Sequence, residues 1–169
     1  MTRVGWQARI SAAAPDGGAG GLLDSEIEDL VRYLLFEGEA PLVEPVEGVS
    51  TFSATFPRRG TRDRLGRSLR DFDLRTRLFR YPLSYTIYSA AFDALPEAAR
   101  DRVYRRLYDV LRGIDRSVAF RHLTAEDRAA VFEILLATKP ELPAYWRAAA
   151  PEASTPLLLL PSPPRSWRP

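Results

Sequence analysis

Apolar residues at helical spacing, interrupted by proline and glycine, are the feature that most constrains the fold of this chain. The clearest apolar face has the spacing i, i+3, i+4, i+7, i+8 and consists of Ile27, Leu30, Val31, Leu34 and Leu35. Asp24 or Ser25 is the predicted N-cap, and Gly38 is expected to end this helix through left-handed backbone geometry. Nowhere do β-branched residues alternate long enough to require a sheet. The sequence therefore predicts an all-α fold.

The same periodicity predicts about five helices in all. Beyond the first, they run from Asp71 or Asp73 to Phe79, from Pro82 to Leu95, from Glu97 to Arg112 and from Thr124 to Pro140. A further helical turn is expected at residues 50–56 and a short one at residues 143–149. Thr124 and Asp127 resemble a capping box. In the helix that begins at Asp71 or Asp73, we expect intrahelical ion pairs of Asp71 with Arg75 and of Asp73 with Arg77.

Composition divides the chain into three parts. Residues 1–23 are expected to form an N-terminal arm with a Gly-rich linker, and residues 24–149 the helical domain. Residues 150–169 hold six prolines and are expected to form an extended tail. Within the domain, residues 39–66 combine prolines and glycines and are expected to wrap irregularly over the core. Irregular segments of this length are commonly functional.

Charge is distributed unevenly along the chain. Residues 1–57 carry nine acidic and three basic residues, whereas residues 58–80 carry nine arginines and three aspartates. In one interpretation, the acidic first part folds against this basic segment and compensates it. In the other, the basic segment faces phosphate, anionic lipid or an acidic partner. Arg58, Arg59, Arg62 and Arg64 are the candidates for such an external contact, since only Asp63 lies near them in the sequence.

The residue inventory excludes most metal and catalytic chemistry. There is no cysteine, which excludes disulfides, thiolate zinc sites, iron–sulfur clusters and covalent haem. His122 is the only histidine, and Ser117 and Asp115 lie too near it in sequence for a typical catalytic triad. We therefore predict a loop role for His122, no catalytic, cofactor-binding or metal-binding residue, and no enzymatic activity. No apolar stretch approaches the ~20 residues of a membrane span, and no signal sequence is recognised. The chain is thus expected to be soluble or peripheral to a membrane complex.

One segment is distinctive enough to suggest relatives. The run FRYPLSYTIYS at residues 79–89 is followed by AFDALP at 91–96 and VYRRL at 103–107. With VRYLLF at 31–36 and TKP at 138–140, it resembles the C-terminal part of larger uncharacterised bacterial proteins associated with c-type-cytochrome contexts. The resemblance covers about residues 27–146 and carries no known activity. That family commonly has a cysteine where Leu83 stands here. The resemblance implies a detached module that works within a larger assembly.

These observations favour a non-enzymatic accessory subunit that binds other proteins, with contact to a membrane surface as a further expectation. The predicted contact residues are Arg58, Arg59, Arg62, Arg64, Leu157, Leu158, Leu159, Leu160 and Trp167. A first alternative is an anionic small molecule bound by Arg58, Arg59 and the helix that carries Tyr81 and Tyr88. A second, disfavoured alternative is a nucleic acid, because arginines and aromatic residues interleave between residues 67 and 81 without a recognised binding module.

Overall fold

The computed structural model describes residues 2–13, 19–48 and 50–148. Its α-helices are α1 (Thr2–Ala13), α2 (Ala19–Leu34), α3 (Phe52–Arg58), α4 (Ala90–Asp93), α5 (Glu97–Leu111), α6 (Ala125–Thr138) and α7 (Ala144–Ala148). Two 3₁₀ helices lie at Tyr85–Tyr88 and Val118–Phe120. Within these ranges there is no β-strand and one isolated antiparallel bridge, between Phe72 and Phe79. The all-α prediction is confirmed.

The core forms where α2 packs against α1 and α5, and α5 packs against α6. The predicted apolar face of α2 is buried from Ile27 to Leu35, as is the inward face of α5. Beside it, Trp146 of α7 stacks on Phe132 of α6, with ring centroids 5.1 Å apart. Burial of such aromatic rings contributes much of the stability of a core of this size.

Helix α2 begins earlier than predicted. It starts at Ala19 rather than at an N-cap at Asp24 or Ser25, so the predicted boundary at residue 23 falls inside the helix. Burial of Leu23, together with Val4 and Ala8 of the adjacent α1, outweighs the poor helix propensity of the glycines in its first turn. Asp24 forms an ion pair with Arg102 of α5 at 2.7 Å instead. The rest of the predicted linker, residues 15–18, lies outside the described residues.

The predicted helix between Asp71 and Phe79 is absent. Residues 71–80 instead form a tight hairpin, in which the N–H of Arg80 donates to the Asp71 carbonyl at 2.9 Å. The Asp73 carboxylate accepts bonds from the N–H groups of Thr76 and Arg77 at 2.8 and 3.1 Å. Such local side-chain bonds offer the backbone an alternative to a helix. The predicted intrahelical ion pairs were therefore wrong.

The predicted helix from Pro82 to Leu95 was also wrong, since it is broken into two short pieces. Each piece has its own serine cap: Ser84 Oγ accepts a bond from the N–H of Thr86, and Ser89 Oγ accepts one from the N–H of Phe92. Ser89 itself is extended, with ψ at 149°, and therefore interrupts the helical path. The consequence for function is that Tyr81 and Tyr88 do not share one helical face.

The N-terminus of α6 is built as predicted. Thr124 and Asp127 form a complete capping box, in which each side chain accepts a bond from the other residue's backbone N–H. His122 lies in the preceding turn, as expected, and its Nε2 donates to the Leu35 carbonyl at 2.8 Å. Asp115 is bound by Arg106 and by the N–H of Ser117. The side chains of His122 and Asp115 therefore serve separate structural contacts.

The tail from 150 to 169, with the predicted contact residues Leu157–Leu160 and Trp167, lies outside the described residues. Within the part of the chain that is described, no helix combines the length and apolar character needed to cross a membrane.

Candidate functional site

An apolar groove of about 390 Å³ lies between α3, residues 46–48 and the 71–80 hairpin. The hairpin supplies Leu74 and Leu78, and α3 supplies Phe52 and Phe56. Val46 closes the third side, because its N–H donates to the Leu74 carbonyl at 2.8 Å. The segment at Val46, predicted as part of an irregular wrap, and the hairpin, predicted as a helix, thus meet to form one surface.

The turn at the hairpin tip is fixed by Asp73. Its carboxylate accepts bonds from both the hydroxyl and the N–H of Thr76, at 2.7 and 2.8 Å. These bonds lower the pKa of Asp73 to about 2. The next residue, Leu74, has a φ of 58°, in the left-handed region that a leucine rarely adopts. The hairpin therefore holds Leu74 in a strained conformation while its side chain lines the groove.

A cluster of aromatic rings forms the floor of the groove. Phe56 stacks on Phe72 with centroids 5.2 Å apart, and Phe72 stacks on Phe79 at 5.4 Å. Tyr85 meets Phe56 edge-on at 5.3 Å. Because the rings use their faces on one another, they are unsuited to stacking on nucleic-acid bases. This packing disfavours the nucleic-acid alternative.

The rim of the groove remains apolar and open to solvent. Phe52 is 57% exposed, Val46 48% and Leu78 43%. None of the residues of α3 is buried, although the helix rests on the aromatic floor through Phe56. Scattered exposed apolar residues are ordinary on protein surfaces, but several around one groove indicate an interaction site.

Arg70 lies over the aromatic floor. Its guanidinium carbon is 4.5 Å from the ring centroid of Tyr85 and 4.9 Å from that of Phe56. Gly60 makes this arrangement possible, because a Cβ at that position would lie 2.1 Å from the Ser68 Oγ and 3.2 Å from the Arg70 Cβ. This cation–π contact holds the positive charge of Arg70 beside the groove. Arg70 has no carboxylate partner in the described structure.

The ion pairs test the first interpretation of the basic segment, that the acidic first part compensates it. Three of its nine arginines are paired: Arg62 with Asp71, Arg67 with Asp63 and Glu133, and Arg77 with Asp127. Within the described ranges, six have no carboxylate within 4.0 Å: Arg58, Arg59, Arg64, Arg70, Arg75 and Arg80. The ion-paired acids of residues 1–57 pair with Arg3, Arg32, Arg102 and Arg106 instead. Compensation of the basic segment by the acidic first part is therefore not observed among the described ion pairs.

The four arginines predicted to make external contacts thus separate into two groups. Arg62 is engaged within the chain, because it pairs with Asp71 at 3.0 Å and donates to the Pro57 carbonyl at 3.1 Å. Arg58, Arg59 and Arg64 are exposed and have no carboxylate partner in the described structure. Arg58 is the last residue of α3, two residues beyond the groove residue Phe56.

The tyrosines of the first alternative are not gathered at one site. Tyr81 is buried, and the hydroxyl of Tyr88 is hydrogen-bonded to Thr138 at 2.6 Å. Burial raises the pKa of Tyr88, which keeps its hydroxyl neutral. Of the three tyrosines, only Tyr85 lines the groove, and the arginine over its ring is Arg70. The structure therefore gives little support to an anion site built from all of these residues.

The sequence analysis missed the groove because its parts lie far apart along the chain. A signal for the hairpin was present, since aspartate is a typical turn residue whose side chain bonds to nearby backbone N–H groups. No sequence signal places Val46 beside Leu74.

The chain matches no protein-family model, no curated protein and no solved structure. In the described ranges, no group of three histidine, aspartate or glutamate side chains is placed to hold a metal ion. The interpretation of the groove therefore rests on its own chemistry.

Proposed function

We propose that this protein is a non-enzymatic accessory subunit that binds another protein through the aromatic groove. The occupant is an acidic segment of the partner that carries bulky apolar side chains. The observation that carries the proposal is the exposed apolar rim of Val46, Phe52 and Leu78 beside arginines without carboxylate partners.

The apolar part of the partner segment is inferred from the groove itself. A volume of about 390 Å³ accommodates a few large side chains. Phe52, at the rim, is more than half exposed and would be covered by such an occupant. Aromatic residues of this kind commonly contribute a large share of the binding energy of a protein interface.

The acidic character of the segment is inferred from the rim charges. Arg58 ends α3, and Arg75 stands at the hairpin tip between the groove residue Leu74 and Thr76. Both arginines are exposed and lack a carboxylate partner in the described structure. These two positive charges favour a partner segment with acidic side chains.

Selection of peptides from a random display library on the immobilised full chain tests the proposal. Enriched peptides are expected to combine aspartate or glutamate with leucine, phenylalanine or tryptophan. Their affinity should fall by about tenfold for Phe52→Ser, which corresponds to about 1.4 kcal/mol. Tyr33→Ser is the matched control, because Tyr33 is an exposed aromatic residue on α2, 70% exposed, and its variant should bind normally.

A second pair of variants tests the charge argument. Arg58→Gln with Arg59→Gln should weaken the selected peptides, whereas Arg116→Gln with Arg121→Gln makes the same charge change elsewhere and should not. Enrichment of basic or uncharged peptides would contradict the proposal. Peptide binding that emerges only after removal of residues 150–169 would also contradict it, since the chain's own leucine run would then be the occupant.

A further inference from the structure

A second cleft, of about 680 Å³, lies between the C-terminal end of α5 and the first turns of α6. Four arginines line it: Arg112, Arg116, Arg121 and Arg128. Its volume is in the range of clefts that bind small molecules. The sequence analysis did not single out these arginines, because they are spread over three separate elements.

Three of these arginines have no acidic partner. In the described structure, no carboxylate lies within 4.0 Å of the guanidinium groups of Arg112, Arg116 or Arg121. Arg112 stacks over Phe132, with its guanidinium carbon 5.2 Å from the ring centroid. The Nε of Arg116 donates to the Gly113 carbonyl at 3.1 Å, which leaves its terminal nitrogens available. Arg121 is exposed in the turn that precedes α6.

The nearby carboxylates are already bound by arginines outside the cleft. Glu133, the one acidic residue described among the lining, pairs with Arg67 at 2.7 Å. Asp115 is held by Arg106 and by the N–H of Ser117. The positive charge of the cleft is therefore not neutralised by the surrounding chain.

The fourth arginine forms the back wall of the cleft. Arg128 donates to three backbone carbonyls, those of Val110, Phe120 and Leu123. Burial lowers the pKa of Arg128, the charge of Asp115 raises it and the charge of Arg116 lowers it. Arg116 and Arg128 line the same cleft, so a bound anion would offset the repulsion between their like charges.

We propose that this cleft binds a ligand that carries clustered phosphate groups, such as a diphosphate or triphosphate moiety. Guanidinium groups match phosphate oxygens with paired, charge-assisted hydrogen bonds. Several negative charges are needed to neutralise three arginines that lack a carboxylate partner. A diphosphate or triphosphate supplies these charges, and a single carboxylate does not. The site is separate from the aromatic groove and independent of the proposed protein partner.

Isothermal titration calorimetry of the full chain with inorganic tripolyphosphate tests this site. The wild-type protein should bind the probe, and Arg116→Gln with Arg121→Gln should reduce the affinity by about tenfold or more. Arg58→Gln with Arg59→Gln is the matched control, because it removes the same charge and should change the affinity by less than about twofold. Arg121→Gln alone provides a milder variant, since Arg121 forms no ion pair in the described structure.

A vesicle arm distinguishes a free phosphate compound from a lipid headgroup. Phosphatidylcholine vesicles with and without phosphatidylinositol bisphosphate are sedimented with the wild-type chain and both double variants. Binding to tripolyphosphate that depends on Arg116 and Arg121 supports a soluble ligand, and the same dependence with vesicles alone supports a headgroup. Absence of binding to both probes, or equal losses in the two double variants, would overturn the proposal.

Discussion

Replacement of Asp73 by asparagine should destabilise the hairpin that shapes the groove. Hydrogen bonds from Thr76 and from the backbone lower the pKa of Asp73 from 3.8 to about 2. A difference of one in pKa corresponds to about 1.4 kcal/mol. Because the Asp73 carboxylate is in contact with solvent, which screens its interactions, its contribution to the free energy of unfolding is reduced to about 1 kcal/mol. Asp73→Asn should therefore lower the free energy of unfolding by about 1 kcal/mol at neutral pH.

The effect should depend on pH with a definite sign. The folded state holds Asp73 ionised more strongly than the unfolded state does, so the stabilisation is complete above the ordinary pKa of 3.8. It is lost as the pH falls through the folded pKa of about 2. Near pH 3, about half of the difference between the two proteins should remain.

Urea unfolding followed by tryptophan fluorescence, to which the buried Trp146 contributes, measures this difference. Asp29→Asn is the control, since Asp29 is exposed on α2 and no ion pair is seen for it in the described structure. Equal stability of Asp73→Asn and wild type at neutral pH would refute the reasoning. So would a difference that stays constant down to about pH 2, because ionisation would then not be its cause.

Two further substitutions address the backbone around the groove. Gly60→Ala should lower the free energy of unfolding by about 1 to 3 kcal/mol in urea titration, because its Cβ would lie 2.1 Å from the Ser68 Oγ. Gly5→Ala, whose nearest neighbour would be 3.9 Å away, should not destabilise, and equal effects would contradict the clash. Leu74→Asn should change stability by less than about 0.5 kcal/mol, since asparagine tolerates a positive φ, yet it should weaken the selected peptides. Unweakened binding would exclude Leu74 from the interface.

The sequence predicted α5, α6, most of α2 and one cap well, but it did not predict α1. The apolar face of α2, the apolar positions of α5 and the Thr124–Asp127 capping box all depend on residues within a few turns of one another. It failed between residues 71 and 95, where serine and aspartate side chains bind the backbone and redirect it. Serine and aspartate favour both helix caps and turns. The spacing of the apolar residues alone therefore did not distinguish a continuous helix from a turn or a broken helix.

The candidate sites were less predictable than the helices. The sequence shows the excess of arginine in residues 58–80, but it does not show which of these arginines form ion pairs. Arg77 meets Asp127 and Arg67 meets Glu133 across 50 and 66 residues of chain, respectively. Such pairs form only after the helices have packed.

The sequence by itself determined the all-α class, the positions of α5 and α6, most of α2 and the absence of cysteine chemistry. These follow from local periodicity, caps and composition, which act within a few residues. The tertiary structure decided which arginines remain without a carboxylate, and it brought Val46, Phe52 and Leu78 around one groove. Charge neutralisation and burial depend on neighbours in space, and those neighbours come from distant parts of the chain.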